Sequence, residues 1–467
     1  MKKWLPLFAA CLGTLMLLID VTIVNVALPD IATDLRAGLS SLQWVVDGYA
    51  LALAALLLVL GSLADRVGAK RAYLAGLVLF ALASLGCGIA DTASNLIVGR
   101  VLQGIGGAAM FATTLSLLHS TYTGRGIAFG VWGAVSGAAA GIGVVLGGVL
   151  TEALSWRWIF FVNLPIAVLA IALTASVFPA SVRRADRAVD VPGMLAFATA
   201  ATAVTYGVIR GGEHGWSEGR AVSALMLGVV AVIVFAVVES RSAAPMFPLA
   251  LLRNRDFGAT LLGASGQTFA AFASTPLVSI WLQQQLRMTP LHAGLALLPM
   301  AATAFLVAGV FGRLMHDAPP KWTIGAGLVL VGIGTGLLTV IDAGSSWPAL
   351  IPGLVVIGAG IGVNAPALVS VGMAAVPPQQ GGTAAGAVNT ARQLGLALGV
   401  AVLGTVFRGV AGADQPMTLP HFTAGLDAAF TVAAAVGIVF GVIAFVLFHR
   451  QRAIVASDNV EQKVVVA

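Results

Sequence analysis

The chain has 467 residues, 59% of them apolar and only 9% charged, with a mean hydropathy of +0.98. Water-soluble domains carry roughly 25% charged residues, so this composition excludes an ordinary soluble globule and predicts an all-α protein that crosses a bilayer many times. The formal net charge of +6 is not a nucleic-acid signal, because the cations segregate by side of the membrane.

A span needs about 20 apolar residues. Runs of that kind fall at 5–28, 43–63, 72–90, 95–118, 126–151, 157–178, 190–210, 220–239, 257–283, 290–314, 321–341, 347–371, 380–408 and 425–448. An even number of spans, here about fourteen, places both termini on one side. Of the 25 cations, about 17 lie on the side holding Lys2, Lys3, Arg66, Lys70, Arg71, Arg183, Arg184, Arg187, Arg253, Arg255, Arg450 and Arg452, and about 6 lie opposite. Arg100 and Arg392 fall within spans. This bias predicts cytoplasmic termini. The first apolar run is too long for a secretory signal, carries Asp20 and leads into further spans, so it reads as helix 1.

Helix 1 contains Asp20-Val-Thr22-Ile-Val-Asn25-Val-Ala27-Leu28-Pro29. Asp20 lies about sixteen residues into it, where an ionised carboxylate costs on the order of 2.5 to 3.5 kcal/mol, so it either protonates or finds a partner. An acid whose surroundings alternate between wet and dry can load a proton in one state and release it in the other. Asn25 sits about 140° around the helix from Asp20 and does not share its face. Helix 2 opens on Gln43-Trp44-Val-Val-Asp47-Gly48-Tyr49, with Asp47 near the outer end, as a solvated group or as a second titrating or cation-recognising acid.

A charged turn, Gly61-Ser-Leu63-Ala-Asp65-Arg66-Val-Gly68-Ala-Lys70-Arg71, joins helices 2 and 3. In helix 4, Arg100 is followed by Gln103, Gly104 and Gly107, offsets that put the cation, the amide and both glycines on one inward face. Cys11 and Cys87 lie inside predicted helices without metal-ligand spacing and read as packing residues. Helix 5 carries Trp132, a cavity or interfacial residue, and then Gly133, Gly137, Gly141, Gly147 and Gly148, a groove that admits a neighbouring helix closely.

Helix 6 opens on Trp156-Arg157-Trp158-Ile-Phe160-Phe161-Val-Asn163-Leu164-Pro165. Two spans then stand between the longest cytosolic connections, and removing them leaves six helices on either side, as expected of two repeated halves. The expected units are 1–180, an N-terminal six-helix bundle; 181–250, the two additional helices with their linkers; 251–450, a C-terminal six-helix bundle; and 451–467, a cytosolic tail. Gly312-Arg-Leu314-Met-His-Asp317 is a weak echo of the turn at Gly61. Gln103, Trp132, Gln267, Asn364, Asn389 and Gln393 are the candidates for the lining of a cavity, each also able to serve as an interhelical hydrogen bond.

Residues 5–448 resemble the major facilitator superfamily, and in particular its fourteen-helix drug-proton antiporter branch. The resemblance rests on the turn at Gly61, on the helix 1 and helix 2 segments, on Gly99-Arg100-Val-Leu-Gln103-Gly104 in helix 4, on the helix 5 glycines and on Trp156 to Pro165. It departs from the family at Val67 and Ala69 in the turn and at Val144, where a proline is usual. The resemblance implies two six-helix bundles with two helices inserted between them. It implies proton coupling through Asp20 and Arg100, with Asp47 as a further acid, and a conformational latch at Gly61, Asp65, Arg66 and Gly68.

The implied function is export of hydrophobic or cationic organic compounds, drugs and antibiotics among them, by alternating access. A dedicated exporter of one endogenous metabolite or antibiotic, and a proton-driven uptake symporter, are the alternatives. No cofactor is expected beyond the proton gradient. The expected partners are the substrate, protons and the lipid bilayer, with no nucleic acid, and the expected form is a monomer in the cytoplasmic membrane of a bacterium. The chain contains no Gly-Lys dipeptide and so no phosphate-cradling loop for ATP. Its six histidines are scattered without a His-Glu-x-x-His helix, so an enzyme is not expected.

Overall fold

The computed structural model describes residues 4–122, 125–179, 190–243, 245–314, 318–342, 344–376, 381–412 and 419–448. Within these helices the side chains of some residues, Asp65 among them, lie outside that description. The described chain is helical throughout, as a bilayer demands of an apolar chain that must satisfy every backbone group internally.

The helices are α1 (Leu5–Asp34), α2 (Leu39–Val67), α3 (Ala69–Gly88), α4 (Ala93–Thr121), α5 (Arg125–Ala153), α6 (Trp158–Phe161), α7 (Asn163–Val177), α8 (Val191–His214), α9 (Gly219–Arg241), α10 (Arg255–Gln267), α11 (Thr275–Ile280), α12 (Pro290–Leu314), α13 (Gly327–Gly336), α14 (Ile351–Ala374), α15 (Gly381–Ala411) and α16 (Leu419–Leu447). Twelve described helices are long and apolar enough to cross a membrane. Two other predicted spans look different. The described apolar part of α5 is the shorter stretch Gly141–Ala153, and the segment predicted at 257–283 is broken into α10 and α11 by a π-helical turn at Thr268–Phe272, with a second π-helical turn, Trp281–Gln285, following α11.

Close packing depends on glycine. A β-carbon at Gly104 of α4 would sit 2.5 Å from Tyr49 O of α2, and one at Gly106 would sit 2.8 Å from Phe80 N of α3. The same device recurs in the second half, where a β-carbon at Gly360 of α14 would approach Gly327 O to 2.5 Å. Without a hydrophobic drive between helices in lipid, such backbone approach is a main source of their association.

The predicted charged turn is shorter than its sequence suggests. α2 continues through Asp65 and Arg66 to Val67, and the reversal is made at Gly68 alone, with φ 98° and ψ 131°. Its N–H donates to Ala64 O at 2.8 Å, and Lys70 Nζ donates to Ala175 O at 2.8 Å and Phe178 O at 2.5 Å, tying the turn to the end of α7. Essentially only glycine adopts that backbone region, at a cost of about 1 to 3 kcal/mol for other residues. Gly68→Ala should therefore lower the thermal stability of the purified chain by about that amount, and an unchanged melting curve would refute the strain.

α8 and α9 form an antiparallel pair. Glu218 caps α9 and pairs with Arg210 of α8 at 3.0 Å, and this hydrogen bond holds the Glu218 carboxyl below its ordinary range. α8 lies against both α2 and α15: the Trp44 and Tyr206 ring centroids are 6.3 Å apart, and Thr405 Oγ1 donates to Val208 O at 3.3 Å.

The two halves close on each other at the end of the bundle away from the termini. Gln43 Nε2 of α2 donates to Val400 O of α15 at 3.0 Å, and Gln283 Nε2 donates to Val26 O of α1 at 2.7 Å. Leu291 N donates to Glu152 Oε2 at 3.1 Å. A small apolar pocket lined by Leu28, Leu42, Val46, Pro276, Ile280 and Val400 lies just beneath. α15 runs antiparallel to α2, since Thr390 Oγ1 reaches Ala54 O at 3.4 Å lower down. The described chain therefore begins and ends at one end of the bundle.

Candidate functional site

Five helices of the first half converge on Asp20. Its carboxylate is 0% exposed and forms an ion pair with Arg100, itself 1% exposed. Arg100 Nη1 also donates to Gln103 Oε1 at 2.9 Å, and Nε donates to Val45 O of α2 at 3.0 Å. The other carboxylate oxygen accepts from Gln103 Nε2 and from Asn163 Nδ2, each at 3.2 Å. Ser84 Oγ accepts from both amides, at 2.8 Å from Gln103 and 3.4 Å from Asn163. The guanidinium lies over the Tyr49 ring, 4.4 Å from its centroid, and Cys87 Sγ lies 3.4 Å from Gln103 Oε1.

The helical spacing explains the assembly. Arg100 and Gln103 are three residues apart on α4 and so present one face. That face meets Asp20 because Gly104 admits α2 and Gly106 admits α3. Every member of the network is buried, and a buried pair of charges survives only when its remaining lone pairs and protons are satisfied. Loss of either charge would leave the other buried without its partner.

The sequence-predicted residues divide. Asp20, Arg100 and Gln103 are brought together. Ser84, Asn163 and Tyr49 join them without having been singled out, although Asn163 and Tyr49 stand in segments the sequence analysis quoted; Ser84 carried no signal beyond being polar in an apolar helix. Asp47 stands apart. It is 0% exposed rather than solvated, because α15 crosses α2 on either side of it, at Gln43 and at Ala54. Neither of its carboxylate oxygens has a hydrogen-bond partner among the described residues.

Trp132 is half-buried and bound within the first half, donating from Nε1 to Thr14 Oγ1 at 2.9 Å and lying 6.3 Å from the Phe111 ring. Gln267 and Asn364 are both 0% exposed with unpartnered amides. Asn364 faces α13, where a β-carbon at Gly327 would lie 2.8 Å from its Cβ. Asn389 and Gln393 are half-buried on α15; Asn389 Nδ2 donates to Ala385 O of its own helix at 2.9 Å, and Gln393 Oε1 is buried without a partner.

In the latch region, a β-carbon at Gly61 would lie 3.7 Å from Ala112 Cβ of α4, and Arg66 is exposed. The Asp65 side chain, the surroundings of Gly133 and Gly137, and the side chains of the Gly312 echo lie outside the described residues. The remaining helix 5 glycines occupy two faces rather than one groove. A β-carbon at Gly147 would lie 2.8 Å from Ile23 O of α1, whereas one at Gly141 would meet Ala301 Cβ of α12 at 3.1 Å and one at Gly148 would meet Leu291 Cα at 2.6 Å. α5 is thus wedged between the two halves.

Comparison with known proteins gives a consistent picture. The sequence profile described as the Major Facilitator Superfamily matches residues 10–400 and, in a second alignment, 260–463. The chain is 35% identical to the puromycin resistance protein pur8 of Streptomyces alboniger, over 96% of this chain and 92% of that protein. It is 34% identical to the multidrug resistance protein Stp of Mycobacterium tuberculosis, over 86% of this chain and 75% of that one. Among solved structures, the peptide transporter POT in complex with sulfate shares the fold with a TM-score of 0.68 at 16% identity, covering 95% of this chain and 94% of that chain.

Proposed function

The chain belongs to the Major Facilitator Superfamily, a transporter rather than an enzyme, and from that premise we propose that it is a proton-coupled secondary exporter of hydrophobic organic compounds, antibiotics among them, working by alternating access. The observation that carries this reading is the buried ion pair of Asp20, midway along α1, with Arg100 of α4. Membrane-embedded acids of this kind mark proton or substrate pathways. The resistance proteins it resembles support export as the direction.

In this reading α5 and the segment 255–285 cross the bilayer too, giving fourteen spans: six, the inserted pair α8 and α9, and six. The termini are cytoplasmic by the distribution of cations. The closure at the opposite end then corresponds to a state shut toward the outside. Asp20 takes up a proton when the outward-open state wets it and yields it inward when Arg100 returns. Asp47, sealed under α15, is the second acid. Because Asp20 is already engaged by Arg100, that acid is assigned to the proton and not to a cationic substrate. One proton entering supplies about 2.3 kcal/mol per 100 mV, enough for roughly a fifty-fold substrate gradient.

The test is accumulation of a lipophilic dye in everted membrane vesicles under an imposed pH gradient. Uptake into acid-loaded vesicles that stops when the gradient is collapsed is the expected result. Accumulation indifferent to the gradient would overturn proton coupling, and dye retained more by intact cells carrying the protein than by cells lacking it would overturn export.

A further inference from the structure

Arg392 is a second arginine in mid-span and its circumstances are the reverse of those of Arg100. It lies on α15 about 6 Å from the helix midpoint. It is half-buried. Among the described residues no hydrogen bond or ion pair engages its guanidinium; only its backbone carbonyl is used, accepting from Thr268 Oγ1 at 2.6 Å.

The helical wheel of α15 tells which way this cation faces. At 100° per residue, Thr390, Ala401 and Gly404 fall on the side against α2. Gly395 and Gly399 fall on the side against Ser265 and Phe269. Asn389, Arg392, Gln393, Leu396, Val400 and Leu403 occupy the sector between them. Val400 on that sector lines the apolar pocket between the halves, and Leu396, Val400 and Leu403 are buried in the core cluster that both halves share. Two turns nearer the termini the same sector changes from apolar to polar, with Asn389 one turn before Arg392 and Gln393 next after it, and Gln393 Oε1 is buried and unpartnered. The first half neutralises its buried cation with its own acid. The second half carries one in this sector, at its edge beside Gly399, and among the described residues no acid neutralises it; a charge so placed calls for a counter-ion brought from outside the chain.

We propose that Arg392, with Asn389 and Gln393 beside it, is the anion-recognition site of the transport pathway, and that the substrates are amphipathic organic compounds bearing a carboxylate. The proposal rests on the exporter reading for its biological sense but not for its test. A planar guanidinium binds a carboxylate through two parallel hydrogen bonds; the flanking amides complete the shell, and Leu396 with Val400 receives the apolar body.

The experiment is equilibrium binding of three matched anthracene probes, bearing a carboxylate, a carboxamide or an ammonium group, to the full-length purified chain in detergent without any proton gradient. Failure of proton coupling therefore cannot affect it. The wild type should bind the carboxylate probe at least tenfold more tightly than the carboxamide, a difference of about 1.4 kcal/mol. Arg392→Gln should bring the carboxylate probe down to the level of the carboxamide, and Arg392→Lys should keep part of the preference. A wild-type chain that binds the three probes equally or not at all, or prefers the ammonium, overturns the proposal, as does a carboxylate preference that survives Arg392→Gln. If the Gln variant does not elute as a single folded species, the wild-type preference and its reduction in the Lys variant decide the matter.

Discussion

Asp20→Asn should reduce proton-driven efflux to the level of vesicles lacking the protein while leaving the chain folded in the membrane. Asparagine has the shape of aspartate and keeps an acceptor oxygen for Gln103 Nε2 and Asn163 Nδ2, both 3.2 Å from the native carboxylate. It cannot bind and release a proton, and it removes the charge that holds Arg100. The measurement is gradient-driven dye transport normalised to the amount of protein in the membrane. Undiminished transport would remove Asp20 from the mechanism. A chain that no longer reaches the membrane would instead make the acid a folding element.

Arg100→Ala should be more damaging, since it strips the network of its hub. The guanidinium is simultaneously the partner of Asp20, a donor to Gln103 Oε1 and to Val45 O, and a cation over Tyr49. Removing one member of a buried ion pair costs about 3 to 5 kcal/mol, because the other charge is left without compensation. A large fall in the unfolding temperature in detergent, together with loss of transport, is the expected outcome. The double variant Asp20→Asn with Arg100→Met separates the two roles. It takes away both charges and fills the space with an apolar chain, so much of the stability should return while transport stays absent. Transport in the double variant would reduce the pair to a packing device.

The distance between sequence and structure is instructive at particular residues. Arg100 and Gln103 were legible because three residues on a helix define a face whatever lies opposite. That Asp20 meets this face was not legible from spacing: 80 residues separate Asp20 from Arg100, and only the packing of α1 against α4 joins them. Asp47 shows the opposite error. Its place near a helix end suggests contact with water, yet the crossing of α15 buries it completely, and nothing local to Asp47 announces that neighbour. Ser84 was invisible for the same reason, since a serine in an apolar helix has many uses until its neighbours are known. The helix 5 glycines read as a single groove because their spacing is regular, but α5 faces a different helix on each side, so the glycines serve two contacts.

The amino-acid sequence alone determined that this is a polytopic helical membrane protein, where its helices run and where the turn between α2 and α3 falls. Those properties follow from hydropathy, charge and backbone hydrogen bonding, which act along the chain over one span at a time. The tertiary structure decided which polar side chains share a site: that Asp20 is neutralised within its own half, that Asp47 is sealed, and that Arg392 has no counter-ion among the described residues. Each of these depends on side chains brought together from helices far apart in sequence, and a buried charge is defined by what stands around it in three dimensions.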